Sequence, residues 1–146
     1  MADEIVVKGA SVSLTPAIPT VIITTSTHTL SVASSGPFVA ADGNEALLES
    51  DIDASFVGFQ TAYDNAAYLK GTLIYQSLKS VSDLSKISKK NGEAVVLKST
   101  TGTITCSVIP AIDPTPPPPT GKPDTAVSYD LDFSFTDAGQ TLLKSD

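Results

Sequence analysis

The chain has no arginine and no tryptophan, and only one cysteine, one histidine and one methionine. Each scarcity excludes something. Arginine is the planar fork that grips phosphates and guanine edges. Here all nine basic residues are lysine, set against sixteen acidic ones, for a net charge of −7. Phosphate neutralisation dominates nucleic-acid affinity, so no nucleic-acid partner is expected. The same charge balance disfavours stable anchoring on anionic membranes. A single cysteine, Cys106, cannot form an intramolecular disulfide. Structural zinc takes about four nitrogen or sulfur ligands. His28 and Cys106 supply two per chain, so they are weak metal candidates and no cofactor is expected. No apolar run approaches the roughly 20 residues of a membrane span. The opening Met1-Ala2-Asp3-Glu4 is acidic where a secretory signal is basic, so synthesis in the cytoplasm without a signal peptide is expected.

What remains is a strand-forming composition. The 146 residues, 41% of them apolar, are enough for one domain with one core. Charged residues make up only 17%, against a usual share of about 25%. Serine and threonine, 18 and 17 of them, fill the gap. β-Branched residues crowd residues 20–32, and their restricted χ1 fits a pleated sheet. Alternation is clearest at Ile104, Cys106 and Val108, and again at Val127, Tyr129, Leu131, Phe133 and Phe135. This is the period of a half-buried strand. Asp130 and Asp132, on the opposite face, read as solvated edge charges. Further strands are expected at 46–49 and 55–59, among others. Helix signals are weak, with short turns at 64–69 and 80–89 as the only candidates. The fold expected is all-β: a single small domain, 1–146, of short strands and hairpins.

Two turn signals stand out. Asp42-Gly43 and Asn91-Gly92 each precede an apolar run. Such pairs favour tight hairpins, because a type I′ turn needs positive φ at both central residues. Residues 38–50 also resemble 88–99 once an insertion is allowed at Asn44, which predicts a hairpin unit used twice. Seven of the ten prolines lie between Pro110 and Pro123, including Pro116, Pro117, Pro118 and Pro119. Proline lacks a donor N–H, so this stretch is expected to be an extended loop outside the sheet, with the proline run as a candidate partner contact.

No catalytic residue emerges. His28 lies within a strand-like run without a partner nucleophile, and Cys106 falls on an apolar face. Asp51 and Asp53 would share one face of a strand, a spacing open to acid–base use, but a solvated edge is the simpler reading. The chain is not expected to be an enzyme.

These pieces resemble the PAAR-like spike-tip proteins of contractile injection systems, which include type VI secretion, phage tail-like and extracellular injection particles. Asn91-Gly92-Glu93-Ala94-Val95-Val96 is similar to the family's strand–turn phrase, and Asp42-Gly43-Asn44-Glu45-Ala46 to a second copy. Ile5-Val6-Val7-Lys8-Gly9-Ala10 is similar to the family's opening strand. The proline of that phrase is missing, and the usual apical metal set of histidines and a cysteine is incomplete. The resemblance implies a small β-cone that caps a trimeric β-helical spike, helps pierce a target membrane, and rides on a particle that is assembled in the cytoplasm and can be delivered outside the cell. An effector is a further partner that it allows. The competing expectation is a β-sandwich acting as a binding or decoration module of a virion or cell surface.

Overall fold

The alternating residues near the C-terminus build an interior strand of a curled antiparallel sheet. The structure, a computed structural model, describes residues 3–33, 45–86, 89–90, 93–113, 122–139 and 144–145. Asp42, Gly43, Asn91, Gly92 and Pro116–Pro119 lie outside them, as do residues 38–44 of the proposed repeat.

In chain order the elements are β1 (Asp3–Glu4), β2 (Ser11–Pro16), β3 (Val21–Ile23), β4 (Thr27–Thr29), α1 (Glu49–Phe56), β5 (Gln60–Asn65), β6 (Tyr68–Ser82), β7 (Lys89–Lys90), β8 (Glu93–Ala94), β9 (Thr101–Ile109), β10 (Ile112–Asp113), β11 (Lys122–Pro123), β12 (Ser128–Asp137) and β13 (Lys144–Ser145). The main sheet runs β4–β2–β12–β9–β6–β5–β3. Beyond the end of β9, β10 pairs with β6 and β11 pairs with β10. The two edges, β3 and β4, are successive segments joined by residues 24–26. That connection bonds to both sides: Thr24 N–H donates to Ala62 O at 3.1 Å, and Leu14 N–H donates to Ser26 O at 2.7 Å. The sheet therefore curls around one core as an open half-barrel whose edges are linked by that connection. This single curled sheet, not two facing sheets, replaces the sandwich expectation. The all-β reading holds.

Period-two burial holds along the inner face. Tyr129, Leu131, Phe133 and Phe135 are buried on β12, and Ile104 and Cys106 on β9. Val127 departs from the expected face: it precedes the strand and is 85% exposed. Asp130 and Asp132 are not edge charges, because β12 lies between β9 and β2. They stand on the outer face, where Lys79 Nζ lies 2.6 Å from Asp130 and the Thr103 hydroxyl donates to Asp132 at 2.7 Å. The proline-rich stretch is not wholly outside the sheet either. Its flanks form β10 and β11, and Pro123 occupies the outer edge strand, where a missing N–H breaks no ladder.

The strand expected at 46–49 keeps extended bridges at Ala46 and Leu48 but stops at Glu49, and the strand expected at 55–59 gives way to the end of α1 and the turn after it. Ile52 and Phe56 are four residues apart, so a helix puts both on one face, and both are fully buried. Glu49 and Asp51 in its first turn suit the positive end of the helix dipole. Phe56 fills the curl of the sheet. Its ring lies 4.7 Å from His28, 5.4 Å from Tyr75 and 5.8 Å from Phe133.

Candidate functional site: three equivalent segments at one end

At the end of the sheet where β2 and β9 begin, three tripeptides meet: Ile5-Val6-Val7, Ala46-Leu47-Leu48 and Val95-Val96-Leu97. Their central residues form a closed ring of backbone hydrogen bonds. Val6 N–H donates to Val96 O at 2.9 Å, Val96 N–H to Leu47 O at 3.0 Å, and Leu47 N–H to Val6 O at 2.9 Å. The flanking residues bridge in the same rotation: Ile5 with Leu97, Val95 with Leu48, Ala46 with Val7. Every relation repeats three times, so one chain carries a local pseudo-threefold axis.

The equivalence extends into the turns. Ala10, Asp51 and Thr100 each donate a backbone N–H to the carbonyl three residues earlier, on Val7, Leu48 and Leu97, at 2.9–3.1 Å. The N–H of Leu48 is met by the Asp51 carboxylate at 3.0 Å, and that of Leu97 by the Thr100 hydroxyl at 3.0 Å. Ala10 has no such side chain, and the matching N–H of Val7 donates instead to Ala138 O at 2.9 Å. Beyond the turns the three units diverge into β2, α1 and β9.

Side chains alternate across this triangle. Val6, Leu47 and Val96 are fully buried in the main core. Ile5, Ala46, Leu48, Val95 and Leu97 point the other way and form a second buried cluster. Short antiparallel pairs lead into two of the units at matching positions. Glu4 pairs with Lys144 as Ala94 pairs with Lys89, and Asp3 with Ser145 as Glu93 with Lys90. In one unit the pair joins the two ends of the chain.

The structure revises the repeat in two ways. It is threefold, because residues 4–10 are a full member. Its register also needs no insertion at Asn44: Ala46 matches Val95, Leu47 matches Val96 and Leu48 matches Leu97. Matching Glu45-Ala46 to Glu93-Ala94 slips the alignment by one residue, which turns every side chain to the wrong face. The signal available in the sequence was an aliphatic triplet, a charge, Gly or Ser, then a small or capping residue, seen at Lys8-Gly9-Ala10, Glu49-Ser50-Asp51 and Lys98-Ser99-Thr100.

The remaining candidates are not brought together. His28, on β4, is half-buried, stacks on Phe56, and its Nε2 lies 2.7 Å from Ser55 O. Cys106 is buried on β9, with β12 and β2 between it and β4, and burial, with the charge of Asp130, pushes its thiol up to about 11. Among the described residues no three His, Cys, Asp or Glu side chains gather as metal ligands would. Asp51 and Asp53 lie on a helix, not a strand, and so do not share a face. Asp51 closes its turn, while Asp53 accepts the Tyr75 hydroxyl. Among the described residues no helix is long and apolar enough to cross a membrane.

Over residues 1–146 the chain matches the family described as contractile injection system spike tip protein. A search of curated proteins returns no match.

Proposed function

Since the chain belongs to the contractile injection system spike tip protein family, we propose that its pseudo-threefold end caps a trimeric spike. The closed ring through Val6, Leu47 and Val96 carries this reading. A symmetric trimer ends in three identical surfaces. A single chain has no symmetry of its own, and it can answer all three only by presenting nearly the same structure three times. Capping also hides the unpaired strand edges at a spike's end, which otherwise invite association.

With that end seated, the opposite end leads. There Leu69, Ile109, Ile112 and Val127 are exposed aliphatic residues, suited to entering an apolar layer. β6, β9 and β12 run between the two ends, so axial load passes along covalent strands. The tip is made and assembled onto its particle in the cytoplasm and is carried out with it. Its role is mechanical rather than catalytic.

The test is stoichiometry. Mixed with the purified spike protein of the same apparatus, this chain is expected to give one copy per spike trimer by native mass spectrometry. Three copies per trimer, or no complex, would sink the capping reading.

A further inference from the structure

We infer that the end opposite the triangle carries a latch: Asp124 holds two chain segments, Ala111–Asp113 and Lys122–Ala126, as a strap against the sheet, and this strap opens as a unit when the carboxylate is lost.

The two legs pair as β10 and β11, and their strand pairing with the main sheet is the single pair Ile112 and Leu69. A ladder that short does not hold a segment in place by itself. Six further hydrogen bonds gather around Asp124. Its Oδ2 accepts the Tyr63 hydroxyl at 2.9 Å and the Tyr129 hydroxyl at 2.5 Å. Its Oδ1 accepts the Ala126 N–H at 3.1 Å. Its own N–H donates to Ala111 O at 2.8 Å, and the Ala111 N–H donates to the Tyr63 hydroxyl at 3.1 Å. Asn65 donates to the Tyr129 hydroxyl at 2.7 Å. The carboxylate thus ties the second leg to β5 and β12, and the first leg joins it through the Asp124 backbone N–H and the Tyr63 hydroxyl. Asp124 is 8% exposed and Ala111 fully buried, so these bonds lie out of competition with water.

Gly71 completes the seat. A Cβ there would run into the Tyr63 ring and come within 2.6 Å of the Ala111 N, so the strap lies against a strand that has been cleared for it. An amide does not replace the carboxylate. The site asks for acceptors on both sides, one facing the two phenols and one facing the Ala126 N–H, and an asparagine side chain has a single acceptor oxygen. With that oxygen towards the phenols, its NH2 meets the Ala126 N–H, donor against donor. Flipped, it leaves both phenol hydroxyls without their acceptor.

Hydrogen exchange on the intact chain tests this. In Asp124→Asn, the amides of Ala111, Asp124 and Ala126 are expected to exchange at least about 10-fold faster, while those of Ile104 and Leu131 stay within about 3-fold, as local opening requires. Tyr129→Phe keeps the carboxylate and removes one donor, and should give a smaller rise at the same three amides. Unchanged exchange at these amides in both variants would overturn the latch. An equal rise at Ile104 and Leu131 would overturn the strap as a separate unit.

Discussion

Asp124 and Tyr63 show how single residues set the pH range of this molecule. Burial alone pushes the Asp124 carboxyl up, but the Tyr129 hydroxyl, the Ala126 amide and the Tyr63 hydroxyl outweigh it and hold the group below its ordinary value. Asp130 is lowered too, by Lys79 above all. A lowered carboxylate contributes stability that is complete above its unfolded value, about 3.9, and is lost as pH falls through the folded value. Tyr63 behaves in the opposite sense. Burial pushes its hydroxyl up to about 12, with the Ala111 amide opposing and Asp124 adding to the rise. Its contribution is complete below the unfolded value, about 10, and is lost as pH rises through the folded one. The melting temperature should therefore be flat from about pH 5 to 8 and fall on either side, the alkaline fall beginning with the buried Cys106 thiol and continuing with Tyr63. Calorimetry of Tyr63→Phe should show a shallower alkaline fall and an acid limb that persists. An alkaline limb of unchanged depth would remove the phenol from this account.

At the scale of elements, α1 is what an antiparallel sheet of this curvature needs inside it. The edges β3 and β4 are linked through residues 24–26, and the concave side is filled by Ile52 and Phe56. The helix is also pinned from outside. The Ser55 hydroxyl donates to Val32 O at 3.1 Å and accepts the Val32 N–H at 3.2 Å, while Ser55 O meets His28. Phe56→Ala would leave a cavity among His28, Phe59, Tyr75 and Phe133. The expected loss is about 3–5 kcal/mol, read as a lower urea midpoint at unchanged slope. A loss below about 1 kcal/mol would mean that the sheet closes without its plug.

At the scale of the whole molecule, the pseudo-threefold end treats the chain's two ends as one of its hairpins. β13 and β1 pair as β7 and β8 do, at matching distances from the central valines. Linking β13 to β1 and opening the chain between β7 and β8 exchanges which of the two strand pairs is covalently joined. Such a permutant is expected to keep its circular dichroism spectrum and to melt within several degrees of the parent, because β1 and β13 are already paired and need only a short link. A disordered product would show that the two pairs are not interchangeable.

The sequence by itself determined the class of fold and much of its inner face. β-Branched and hydroxyl residues, scarce charge and the alternation over 104–108 and 129–135 left little but antiparallel sheet, and those side chains do point inward. These signals are local, written in neighbours one and two positions apart, and so they could be read directly. Only the tertiary structure decided the triangle. Ile5-Val6-Val7, Ala46-Leu47-Leu48 and Val95-Val96-Leu97 are each too short to announce an element, and the ring of hydrogen bonds through Val6, Leu47 and Val96 runs between segments distant in the chain. The same holds for Asp124, whose role depends on Tyr63 and Tyr129 arriving from other strands. It holds as well for α1, whose eight residues became a helix because the curled sheet had a hollow that Ile52 and Phe56 could fill. A hydrogen bond closed across a fold leaves no periodic trace in the residues that make it.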